Sequence, residues 1–136
     1  MATIKSFTDL QQSRKLAEIL PLESADMVYQ SVEDEYGDGE WEAIPINNSL
    51  NIGYDDDILC WSLTALIEIF PKEYTNSKNQ VCSLHIDIED SETPYLIWYA
   101  NPEHEGSIVE MKTKGYSNLI DACYEIVLKL NELNLL

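Results

Sequence analysis

Basic side chains are scarce in this chain, and over one long stretch they are missing. Its 136 residues hold 8 Lys and Arg against 25 Asp and Glu, for a formal net charge of -17. No base falls between Lys15 and Lys72, where thirteen acids run from Glu18 to Glu68. The rest of the chain carries all eight bases and twelve acids, so this stretch supplies 13 of the 17 net negative charges. A field of that sign repels nucleic acid and anionic membrane and attracts cationic surfaces, which argues against direct DNA or RNA binding.

Other absences narrow the chemistry. Apolar runs are too short to span a bilayer. Met1 to Leu10 mixes Lys5, Ser6 and Asp9 with isolated apolar residues, so it has neither the apolar core of a signal peptide nor the arginine-rich face of a transit peptide. A cytoplasmic protein with no membrane partner is the expectation. The three cysteines, Cys60, Cys82 and Cys123, are odd in number, widely spaced and free of any CxxC pattern, which fits buried free thiols. No GxGxxG, GxxxxGK[ST] or GxSxG pattern occurs, which removes the simplest arguments for a nucleotide-binding or acyl-transfer enzyme.

What is present is enough to fold. Hydrophobic residues make up 45% of the sequence, whereas disorder requires high charge together with few residues to bury. A chain of this length fits a single domain, 1–136, with one core. Thr8 reads as an N-cap with Gln11 completing a capping box, and Leu10, Leu16, Ala17 and Leu20 recur on one face of the helix that Pro21 stops. An irregular acidic region follows at about 28–57, where Glu40 to Ile46 reads as a short strand that Pro45 confines to an edge or a loop. The triplet Asp55 to Asp57 precedes an apolar stripe of Ile58, Leu59, Trp61, Leu63, Leu66, Ile67 and Phe70, and reads as the acidic start of a mostly buried helix.

Beyond the polar connector Tyr74 to Asn79 the apolar period changes to two. Cys82, Leu84, Ile86 and Ile88 fall on one side of a strand and Ser83, His85 and Asp87 on the other. Tyr95 to Ala100 and Ser107 to Lys112 read as further strands, with turns at Glu89 to Pro94 and Asn101 to Gly106. A last helix runs from an Asn118 or Ser117 cap through Leu119, Ile120, Ala122, Cys123, Ile126, Val127, Leu130 and Leu133. The expected fold is α+β: a small single-layer antiparallel sheet, about a three-strand meander, covered by helices.

Three segments carry a resemblance: Lys5 to Met27 (KSFTDLQQSRKLAEILPLESADM), Cys60 to Pro71 (CWSLTALIEIFP) and Asp121 to Leu136 (DACYEIVLKLNELNLL). Together they resemble a family of short proteins without assigned chemistry that recurs in gut anaerobic bacteria, often in phage-like or mobile-element surroundings. The resemblance covers both ends and the central helix and is weakest from about Val28 to Asp57. It implies a small cytoplasmic accessory protein from a phage-like context and carries over no site residue.

Candidate catalytic and metal chemistry is thin. Cys82 and His85 sit three apart in a strand and so point to opposite faces, while Cys60 and Cys123 lie on apolar helix stripes where a thiol packs as a small hydrophobe. His104 lies in a turn between Glu103 and Glu105, and adjacent residues rarely converge on one ion. Asp34, Asp38 and Gly39 faintly resemble a calcium loop, but Tyr36 falls on a required ligand position and Pro45 where the bidentate glutamate belongs. No catalytic residue, metal or cofactor is assigned.

The remaining candidate is a contact surface. Glu33, Asp34, Glu35, Asp38, Glu40 and Glu42 fall within ten residues, and Asp55, Asp56 and Asp57 are consecutive. Tyr36, Trp41 and Tyr54 are interleaved with them. Seventeen charges spread evenly over a surface on the order of 7,000 Å² would stand about 20 Å apart and be screened, whereas clustered ones add within a Debye length of about 8 Å. Tryptophan and tyrosine suit interface anchors, and clustered acids accelerate encounter with a basic partner. Trp41 admits two readings: an exposed anchor, or a core residue on a short alternating strand whose glutamates face water. The expected function is a non-enzymatic module that binds a basic protein partner through this cluster. Such a module could be a phage-type inhibitor of a host factor that acts on nucleic acid. The alternatives are a structural or regulatory subunit recognised through apolar helix surfaces, and an enzyme without a recognisable motif.

Overall fold

The computed structural model describes residues 5–33, 39–45, 57–101 and 108–136. Among these it shows three α-helices and two antiparallel sheets, an α+β architecture. They group into two compact units, Ser6–Leu66 and Ile67–Leu136, with Lys5 belonging to the second.

In the first unit a three-stranded sheet has the order β2-β1-β3, formed by β1 (Met27–Glu33), β2 (Gly39–Pro45) and β3 (Ile58–Cys60). Helix α1 (Leu10–Ala17) packs against β3, and Leu16, Leu20, Val28, Cys60, Trp61 and Leu66 form the core. The cap of α1 is Asp9 rather than Thr8. The Asp9 carboxylate accepts from Gln12 N–H at 2.8 Å, and Gln12 Oε1 accepts from Asp9 N–H at 3.1 Å. The spacing of the box is as expected, but its register is one residue later. Thr8 is fully buried, with its hydroxyl accepting from Trp61 N–H and bonded to Ser13 Oγ, so it cannot also serve as the cap.

The expected helix from Ile58 is corrected. Ile58, Leu59 and Cys60 pair with Tyr29, Val28 and Met27 as β3, and helix α2 runs only over Leu63–Ile69. A short apolar run bears no period of its own and suits a buried strand as well as a helix. The strand wins here because β1 offers it a partner. Ser62 then opens the helix: its Oγ accepts from Ala65 N–H at 3.2 Å and donates to Asp26, whose other oxygen accepts from Ser62 N–H at 2.9 Å. Asp57 therefore precedes a strand and is no helix cap. The acidic region is also less irregular than expected, since β1 and β2 form an antiparallel pair within it.

The second unit is a four-stranded sheet, β4 (Glu73–Thr75), β5 (Val81–Ile88), β6 (Tyr95–Asn101) and β7 (Ile108–Lys112), in that order. The expected meander is β5-β6-β7, and β4 joins it from the edge of what read as a polar connector. Asn76 makes that connection a hairpin, its Oδ1 accepting from Lys78 and Gln80 N–H groups at 2.9 Å each. Asn79 takes the left-handed conformation (φ 59°) that asparagine tolerates better than most residues.

Helix α3 (Leu119–Glu132) lies against β6 and buries Ile120, Ala122, Cys123, Ile126, Val127 and Leu130, and Ile97 and Tyr99 of β6 are fully buried. Asn118 caps it through Asp121 N–H at 2.9 Å. Its end closes with Asn134 at φ 56° and Leu135 N–H returning to the Leu130 carbonyl at 2.9 Å. The Lys5 ammonium pairs with Asp121 at 2.8 Å. No helix among the described residues is long and apolar enough to cross a membrane.

Candidate functional site

Of the residues singled out by charge, the structure gathers Glu33, Glu40, Trp41 and Glu42 into one hairpin. The register sets Glu33 opposite Gly39, Val32 opposite Glu40, Ser31 opposite Trp41 and Gln30 opposite Glu42. At a rise of about 3.4 Å per residue, the backbone positions of Glu40 and Glu42 lie about 7 Å apart along β2. β2 is an outer strand of its sheet and Glu42 is exposed. Pro45 ends that strand opposite Met27, an edge position where its missing N–H costs no ladder bond. Trp41 does stand on the short strand that one of its two readings required. Asp34, Glu35, Tyr36, Asp38, Tyr54, Asp55 and Asp56 lie outside the described residues, as does His104. Asp57 is half-buried, and its Oδ2 has no hydrogen-bond partner among the described residues.

The thiols are inert by position. Cys60, Cys82 and Cys123 are buried. Burial pushes the Cys60 thiol up to about 12, with the charge of Asp26 adding to it, and burial alone does the same at Cys123. Neither supplies a thiolate near neutrality. Among the described residues, no group of three His, Cys, Asp or Glu side chains is placed to hold a metal ion.

One array escaped the sequence reading. On the sheet of the second unit, His85 lies directly opposite Trp98, and their rings stack at 4.1 Å with planes 14° apart. Trp98 Nε1–H donates to the exposed Asp87 carboxylate at 2.8 Å. Val81 is exposed on the same side of β5. The missed signal is the hairpin closure. Glu89 N–H bonds the Pro94 carbonyl at 2.8 Å, and counting back four residues along each strand brings His85 to Trp98.

The apolar side of β5 also departs from a uniform core face. Cys82 is buried, but Ile86 is 37% exposed and Ile88 74% exposed. No family model, curated protein or solved structure matches the chain.

Proposed function

We infer that this chain is a non-enzymatic interaction protein whose acidic stretch, centred on Asp34 to Glu42 with Asp55 to Asp57 nearby, docks a basic region of another protein. The observation that carries this reading is the base-free run from Leu16 to Pro71, whose acids Glu33, Glu40 and Glu42 share one hairpin with an outer strand. Carboxylates that cluster add their potentials and speed encounter with a cationic surface. In an inhibitor of a nucleic-acid-acting factor, they stand in for backbone phosphates in the groove. The buried Cys60 and Cys123 thiols, held protonated near neutrality, supply no thiolate nucleophile. Capture of partners by the immobilised chain at low and at high salt tests the reading. Basic partners released by salt are expected, and partners held equally under both conditions overturn it.

A further inference from the structure

Among the described residues, strand β5 has an open edge. β4 pairs with it only over Val81–Ser83, and the contact ends where Leu84 N–H donates to the Lys72 carbonyl at 2.9 Å. Beyond that point, the direction of each backbone group follows from the partner strand. Ile97 and Tyr95 stand opposite Ile86 and Ile88. The Ile97 carbonyl accepts from Thr113 N–H and Ile97 N–H donates to Thr113 Oγ1, while Tyr95 exchanges both backbone bonds with Tyr116. Ile97 and Tyr95 thus turn their polar groups away from β5, and in an antiparallel ladder the residues opposite them do the same. The N–H and C=O groups of Ile86 and Ile88 point outward and meet no partner among the described residues. Both isoleucine side chains are exposed beside them.

We propose that the edge at Ile86–Ile88 receives an extended segment of a partner protein in apolar–basic–apolar alternation, which adds a strand beside β5. Two donors and two acceptors fix the segment, and its apolar residues cover Ile86 and Ile88. Its central residue stands beside Asp87, which is exposed and engaged through Oδ2 by Trp98, and near Glu89, Asp90 and Glu92, all exposed. Those charges select a lysine or arginine at the centre. They also disfavour a second copy of this chain, because a two-fold pairing of the open edges sets Asp87 opposite Asp87, and like charges directly opposite destabilise a strand pair. The proposal rests on the interaction-protein reading and gives the partner segment a form.

The test uses the whole chain and two capped nine-residue peptides, one with Val-Arg-Val at its centre and one with Val-Glu-Val. Residue-resolved hydrogen exchange is the readout. Arginine peptide at about nine times its dissociation constant leaves about a tenth of the edge free and slows exchange at the Ile86 and Ile88 amides about tenfold. The glutamate peptide leaves them unchanged at that concentration, and Asp87→Lys inverts the preference. Three outcomes overturn the proposal: no change with either peptide, equal protection by both, or protection in the free chain that rises with its own concentration, the mark of a second copy. A basic partner that binds while both amides exchange as in the free chain overturns the edge alone. Failure of every basic partner to bind overturns the parent reading instead.

Discussion

Thr8 and Trp61 hold each other twice. Thr8 N–H donates to the Trp61 carbonyl at 2.9 Å, and Trp61 N–H donates to Thr8 Oγ1 at 3.1 Å. Both residues are fully buried, and Tyr29 adds a bond from its hydroxyl to the Thr8 carbonyl at 2.8 Å. Thr8→Val keeps the shape and strands the Trp61 amide in a dry site, which costs about 1–3 kcal/mol. Thr8→Ser keeps the acceptor and costs less than the valine. Urea unfolding of both variants at unchanged m measures the difference. A valine variant as stable as the serine one would show that this pair contributes little.

Gly115 marks a close approach to the β5–β6 turn. A Cβ at that position would stand 2.5 Å from the Thr93 carbonyl oxygen and 3.0 Å from Thr93 Oγ1. The carbonyl is backbone and cannot rotate away, so Gly115→Ala is expected to cost about 1–3 kcal/mol through displaced chain. Removing the Thr93 hydroxyl in a Thr93→Ala, Gly115→Ala double variant should restore little of it. Full rescue, read from thermal midpoints, would place the obstruction in the side chain.

Stability should fall in alkali. Burial raises the Cys60 and Cys123 thiols from 9.0 to about 12, and it raises Tyr29 and Tyr116 from 10.0 to about 12. Below about pH 9 the folded and unfolded chains both keep these protons and the stabilisation is whole. Above it the unfolded chain releases protons first, so stability declines as pH rises toward about 12. Denaturation midpoints across that window check the sign, and a flat profile contradicts it. At pH 8 a thiol reagent should label Cys60 and Cys123 no faster than the chain opens, and rapid labelling of the folded chain would refute their burial.

Helices α1 and α3 were legible because caps and a 3.6-residue apolar period agreed, and β5 to β7 because alternation met turn residues at Glu89 to Pro94. The cap of α1 slipped by one residue because Thr8 and Asp9 each have a glutamine three positions on. Only the demand of Trp61 for the Thr8 hydroxyl separates them. Strand β1 was invisible: in MVYQSVE the apolar residues alternate imperfectly, and Val28 and Tyr29, adjacent in sequence, are both buried. Ile58 to Trp61 reads equally as helix or strand until β1 is known to lie beside it. The acidic cluster was plain as composition. Its hairpin register and the open edge of β5 were not, since each depends on where a neighbouring strand stops.

The most direct measurement is the affinity of a captured basic partner as a function of salt, for the native chain and for a Glu33→Gln, Glu40→Gln, Glu42→Gln variant. If the hairpin carboxylates guide docking, the native chain binds more weakly as salt rises from about 0.05 to 0.5 M, and the variant starts weaker with a shallower dependence. Equal affinity and equal salt dependence for the two chains would contradict an electrostatic role for the acidic hairpin.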